Sequence, residues 1–236
     1  MVQGKLGSPT TGLVYLFYND KRDSARVSNG RFTLRGAAPV GTLAGLFVQK
    51  GPMRRPKLGQ RMPQPLMVYL EPGTIQVSSP DSLPHATALG TPLNADNARL
   101  TAALRPTTVQ IDKLWDIDKA ATPMQRQDKA FKDDLIKQYK TIQEAQQVVR
   151  ASFIKTTPQS IVSLTALNQY TGYDIDPSTA EPLFMALAPA VRGSALGQEF
   201  AAKLATAKLT AVGTLAPQLH PERRERQTGE ALRFSG

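Results

Sequence analysis

The 236-residue chain contains no cysteine. That excludes disulfides, thiolate metal sites, thiol catalysis and a lipidated cysteine anchor. Histidine is nearly as scarce: His85 and His220 stand far apart, and neither has a second ligand at metal-binding spacing. There is a single tryptophan, and aromatics make up 6% of the chain. Leu13 to Tyr18, about the longest apolar run, falls far short of the roughly 20 residues a membrane helix needs. No basic-then-apolar opening is present, so no signal peptide is read in these residues.

An ordinary globular composition fills the remainder, 41% hydrophobic and 20% charged, which disfavours disorder. The net charge is +10, and it is unevenly placed. Residues 1–90 hold 11 Lys and Arg against 4 acids, whereas 91–212 hold 14 against 12. The densest basic cluster, Lys50, Arg54, Arg55, Lys57 and Arg61, lies among Pro52, Pro56 and Pro63. These five residues are the candidate contacts for an anionic ligand such as a glycan, a lipid headgroup or an acidic peptide, although such loops are more often only solvated.

Residues 1–90 read as short strands between turns. Leu13 to Tyr18 is β-branched and aromatic, Asn19-Asp20 breaks it, and Ser28-Asn29-Gly30 is a turn that tolerates positive φ. Arg31 to Arg35 alternates as a half-buried strand does, and Thr42–Gln49, Leu66–Leu70 and Thr74–Val77 follow. This spacing predicts an antiparallel β-sandwich or partial barrel.

Near Thr91 the period changes to that of helices. Leu93, Leu100 and Leu104 open a helical register that Pro106 is expected to interrupt. A second helix over Val109–Ala120 would bury Ile111, Leu114 and Trp115. Thr122-Pro123 then starts a helix of about thirty residues, with Phe131, Leu135, Tyr139, Ile142, Ala145, Val149 and Phe153 on one face. Three shorter helices are expected next. One is capped at Thr157-Pro158, one at Ser178 through a Ser-x-x-Glu box, and one at Gly193-Ser194 with Leu196, Phe200 and Leu204 inward. The fold class is therefore α+β: a sandwich over 1–90, a helical region over 91–210, and a remnant over 211–236.

Motifs able to carry chemistry are hard to find. Gly7 to Gly12 has the glycine spacing of a phosphate loop but lacks the following Lys-Ser/Thr, and reads as a hairpin connection. The pairs Asp116/Asp118 and Asp174/Asp176 start like calcium loops and do not continue as such. Gly193-Ser194-Ala195 has its Ser misplaced for a nucleophile elbow. Tyr15, Phe17, Tyr18 and Phe32, near basic residues, can be a stacking platform for single-stranded nucleic acid, but aromatics on strands more often form core. The expectation is no enzyme, no cofactor, no metal, no nucleic-acid partner and no transmembrane segment.

One resemblance sharpens this reading. The string Asp23 to Gly36, with Asn29-Gly30-Arg31-Phe32-Thr33-Leu34-Arg35-Gly36, resembles a β-sandwich domain of unknown function. That domain precedes thioredoxin-like (TlpA-like or peroxiredoxin-like) domains in envelope proteins of Bacteroidetes-type bacteria. Val68-Tyr69-Leu70-Glu71-Pro72-Gly73 resembles its later strand and turn. Phe153-Ile154…Pro158…Ser160…Ser163-Leu164 and Leu187…Ser194…Gly197 resemble its helical segment. Gly213-Thr214-Leu215-Ala216-Pro217 resembles the G-x-x-A-P opening of the thioredoxin-like domain, and Gly229 to Ser235 its next strand. Departures are Gln218-Leu219 in place of an acid–aromatic pair and the charged run His220 to Arg226. No C-x-x-C follows, so the family's redox chemistry has no counterpart residues here.

The resemblance implies a non-catalytic accessory module of an exported thiol-disulfide oxidoreductase, located in the periplasm or cell envelope. Its partners would be a thioredoxin-like domain, envelope clients or a second copy. Binding of an anionic ligand through the basic β half stands as the alternative.

Overall fold

The computed structural model describes residues 1–7, 11–49 and 64–210. The strands are β1 (Val2–Leu6), β2 (Gly12–Tyr18), β3 (Lys21–Val27), β4 (Arg31–Leu34), β5 (Thr42–Gln49), β6 (Leu66–Leu70), β7 (Ile75–Ser79) and β8 (Thr87–Leu89). The helices are α1 (Pro92–Ala120), α2 (Pro123–Gln127), α3 (Lys129–Thr156), α4 (Ile161–Thr171), α5 (Pro177–Ala186), α6 (Pro189–Arg192) and α7 (Ala195–Thr210). The fold class is α+β, as the sequence indicates.

Two four-stranded sheets, ordered β4-β1-β7-β8 and β3-β2-β5-β6, face each other. Asn19 and Asp20, at φ 45° and 59°, turn β2 back into β3. Ser28 and Arg31 exchange 2.9 Å backbone hydrogen bonds around Asn29 and Gly30, carrying the chain from β3 in one sheet to β4 in the other. Among the described strands, β1 and β7 form the one parallel pair, Val2 beside Ile75 through Leu6 beside Ser79. Short alternating strands carry no mark of direction, so the sequence reading of an all-antiparallel sheet misses it. Nor do β1 and β2 form the hairpin expected across Gly7 to Gly12, because they lie in different sheets.

Val14, Leu16, Phe32, Leu34, Ala44, Leu46, Val68, Ile75 and Val77 fill the space between the sheets. Gly4 has to be glycine: a Cβ there would lie 1.9 Å from the Phe32 ring. A second core lies outside the β3-β2-β5-β6 sheet, where Phe153, Ile154, Val162, Leu164, Leu167, Leu183, Phe184, Phe200 and Leu204 join Tyr69 from β6. Successive strand residues point to opposite faces. Val68 therefore serves the sandwich and Tyr69 the helices, which makes this sheet the middle of three layers. Burial holds the Tyr69 phenol above its ordinary pKa, partly offset by a hydrogen bond with Thr165.

Several helix limits differ from the sequence reading. Pro106 does not interrupt α1. Packing against α3 outweighs one lost backbone bond, and the Thr107 and Thr108 hydroxyls both donate to the Leu104 carbonyl. The helix beginning at Pro123 does break: α2 is a single turn closed by a Thr122–Gln125 capping box, and Asp128 starts α3 by accepting from Ala130 N–H at 3.0 Å. α4 is capped by Ser160, not Thr157, and α5 by the Asp176 carboxylate, not Ser178. Ser194 does cap α7, accepting from Gly197 N–H at 3.2 Å. Phe200 and Leu204 are buried, but Leu196 is exposed, and so is Trp115.

Hydrogen bonds from α1 join the layers along β6. Thr91 makes no side-chain cap for α1; Glu71 does that work across the turn, its Oε1 accepting from Leu93 N–H at 2.9 Å and Asn94 N–H at 3.3 Å. Asn94, fully buried, receives the Tyr69 N–H at 3.0 Å and donates to the Tyr69 carbonyl at 2.7 Å. One helical turn on, Asn97 donates to the Met67 carbonyl at 3.1 Å. Two asparagines thus stand where a neighbouring strand would, and they close the free edge of β6.

Candidate binding face

The joint covers only one end of the middle sheet. At that end Leu43 and Tyr69, paired across β5 and β6, lie under the helices. Moving two residues along each strand repeats the outward orientation. The next row is Phe17, Arg22, Gly45 and Met67, then Tyr15, Ser24 and Phe47, then Leu13, Arg26 and Gln49. Leu13, Phe17 and Met67 are each about two-fifths exposed (38%, 40% and 38%), and Tyr15 and Phe47 are half-buried. Among the described residues no element packs over this face, which forms an apolar patch.

Its electrostatics have one sign. The Tyr15 and Phe17 rings lie 6.0 Å apart between centroids, tilted by 33°. The Arg22 guanidinium sits 5.5 Å from the Tyr15 ring centre, within reach of a cation–π attraction. Arg26 flanks Leu13 in register. The acid of the same strand, Asp23, pairs with Leu16 and so points to the other side of the sheet. Among the described residues the face therefore carries two arginines and no carboxylate. Guanidinium forks match carboxylates in two-pronged geometry, and the rings beside them offer flat apolar area. This composition suits binding; the hydroxyls on the face are those of Tyr15 and Ser24, paired across β2 and β3.

The sequence-derived contacts Lys50, Arg54, Arg55, Lys57 and Arg61 lie outside the described residues. Their segment leaves from Gln49, which pairs with Leu13 at the edge of this face. The stacking-platform residues divide: Tyr15 and Phe17 point outward, Phe32 is sandwich core, and Tyr18 packs partly buried against that core. Phe47, Met67, Arg22 and Arg26 escape the sequence reading, because only strand register brings them beside Tyr15 and Phe17.

Other candidates resolve into structural roles. Asp176 caps α5 through Ser178 N–H and Oγ at 2.9 and 2.7 Å, which lowers its pKa. Exposed His85 bonds Asp81 through Nδ1 at 2.7 Å. That bond, then one from Ser82 N–H, pulls the Asp81 carboxyl down to about 2. No group of three His, Asp or Glu side chains converges among the described residues. A cavity of about 370 Å³ opens at one end of the sandwich, lined mainly by apolar groups with Asp23, Arg35 and Glu71; Glu71 is already committed to α1. No helix among the described residues is long and apolar enough to cross a membrane.

The fold thus defines a β-sandwich with helices packed on one of its sheets. Residues 1–97 match the family model of a domain of unknown function, DUF4369, which is not a known catalytic family. The match runs past β8 into α1 and takes in the joint residues Asn94 and Asn97. No curated protein and no solved structure matches the chain.

Proposed function

We propose that this chain is a non-catalytic accessory module of an exported thioredoxin-like oxidoreductase, and that it captures acidic, partly apolar polypeptide segments on the open face of its middle sheet. The observation that carries the reading is that face: Tyr15, Phe17, Phe47 and Met67 flanked by Arg22 and Arg26, with no carboxylate on it among the described residues. The excess of basic residues over 1–90 supports an anionic occupant. Support for the thioredoxin-like connection comes from the resemblance of Gly213 to Pro217 to that domain's opening, together with the sandwich domain of unknown function at the N-terminus.

The test is binding of a labelled acidic, tyrosine-containing peptide to the whole chain. Affinity is expected to weaken with salt, and to fall in Arg22→Ala/Arg26→Ala and in Phe17→Ala. A preference for anionic oligosaccharide or anionic vesicles over the peptide would replace the polypeptide occupant. The chain alone is expected to give no insulin reduction above buffer, and turnover there would overturn the non-catalytic reading.

A further inference from the structure

The open face ends at β3, where the middle sheet also presents a backbone edge. Among the described residues β3 pairs with β2 and with no other strand. The turn fixes which backbone groups point away from β2. Asn19 and Asp20 both have positive φ, so they form the two-residue turn whose flanking residues, Tyr18 and Lys21, are hydrogen-bonded to each other. In an antiparallel pair, bonded and non-bonded positions alternate. Lys21, Asp23, Ala25 and Val27 therefore bond β2, while Arg22, Ser24 and Arg26 turn their N–H and C=O groups to the open side. Two observations agree. The Ser24 N–H donates to the Asp23 carboxylate at 2.7 Å, a side chain supplying what a further strand would. Ser28, next in the same series, exchanges its backbone bonds with Arg31 of the other sheet.

The residues whose backbone groups face this edge are the same ones whose side chains stand on the open face: Arg22, Ser24 and Arg26, all exposed. An extended segment that bonds the edge lays every second side chain on that face. Arg22 and Arg26 are four residues apart, about 13 Å at about 3.3 Å per residue. Acidic side chains at positions i and i+4 of an added strand would stand opposite them. Ser24 is small enough for an aromatic ring at i+2 to lean across it toward Tyr15.

We propose that an acidic polypeptide segment binds as a further antiparallel strand along β3, with acid, aromatic and acid set against Arg26, Ser24 and Arg22. This deepens the reading of the open face and rests on it. The direction follows the sheet, whose pairs β3-β2, β2-β5 and β5-β6 are all antiparallel. Charge selects the occupant. Basic residues on an edge strand guard it against strands of the same sign. A second copy of β3, laid antiparallel with Ser24 against Ser24, sets Arg22 opposite Arg26 at both ends of the pairing. An acidic strand sets a carboxylate before each guanidinium instead. Among the described residues neither arginine is paired with a carboxylate.

The test is binding of the whole chain to synthetic peptides with Glu-x-Tyr-x-Glu at their centre, unmodified or N-methylated at one amide. N-methylation of the tyrosine amide, which faces β3, is expected to weaken binding about tenfold or more, and N-methylation of the next amide, which faces away, less than about threefold. Ser24→Pro removes an edge N–H without breaking a ladder bond. It is expected to melt within a few degrees of the wild type and to bind as weakly as the first methylated peptide; if it fails to fold, the peptide pair alone decides. Binding that needs Arg22, Arg26 and Phe17 but responds equally to both methylations would overturn strand addition and leave the reading of the face standing. Binding of none of the peptides would overturn both.

Discussion

Asn94 of α1 completes the hydrogen bonding of Tyr69 on β6: one amide side chain takes the backbone N–H and returns a donor to the carbonyl, at 3.0 and 2.7 Å. A helix residue here stands in for a β-strand. The contact sits where the sandwich ends and the helices begin, and both of its partners are buried. Truncation to alanine leaves two buried backbone groups of β6 without partners. Asn94→Ala is therefore expected to lose on the order of 2–4 kcal/mol, read from the urea midpoint. Asn97→Ala, on the exposed side of the same edge, should lose less than about 1 kcal/mol.

Glu71 caps α1 from outside the helix, so its value lies in an acceptor oxygen more than in a charge. Glu71→Gln keeps that oxygen and should cost less than about 0.5 kcal/mol. Glu71→Ala removes it and should cost about 1–2 kcal/mol, the range of a lost helix cap. Equal losses in the two variants would mean that the charge, acting on the helix dipole, matters more than the hydrogen bonds.

Gly4→Ala tests the packing of the sandwich. The new methyl would sit 1.9 Å from the Phe32 ring, so that ring must leave its place in the core. A loss of about 1–3 kcal/mol is expected, as for other overpacked cores. Combining it with Phe32→Leu should recover part of the loss, and thermal melting of the two variants checks this.

Two shifted groups contribute a pH dependence to stability, one at each end of the range. Asp81 titrates at about 2 in the folded chain, held down first by His85 and then by Ser82. A lowered folded pKa favours the folded state above the unfolded carboxylate range, near 3.9, and that contribution disappears as pH falls toward about 2. Tyr69 is shifted upward by burial. Its contribution is complete below the unfolded phenol pKa, near 10, and is lost as pH rises through the higher folded value. Carboxyl and ring chemical shifts followed through pH check both; His85→Ala should move the Asp81 midpoint upward.

Much of the architecture is legible from local chemistry. Asn19-Asp20 and Asn29-Gly30 announce their turns because only a few residues accept positive φ, and Ser194 announces α7. What escapes is whatever depends on partners distant in sequence. Pro106 looks like a helix end until α3 lies alongside it. Trp115 looks like core, but α1 buries no residue beyond Thr107. The candidate face escapes for the same reason. Tyr15 and Phe17 are visible as an alternating pair, but Phe47 and Met67 join them only through register, and Arg22 and Arg26 read simply as charges on an edge strand. Of the acidic pairs weighed in the sequence, Asp176 proves to be a helix cap, and His85 hydrogen-bonds Asp81 at the surface.

The account rests on the outward face of the middle sheet, and one comparison tests it most directly. The affinity of an acidic, tyrosine-containing peptide is measured by fluorescence anisotropy for the wild type, Phe17→Ser and Arg22→Glu, alongside their melting temperatures. Both variants should melt within a few degrees of the wild type yet bind at least about tenfold more weakly, the equivalent of about 1.4 kcal/mol. Undiminished binding by both stable variants would contradict the account.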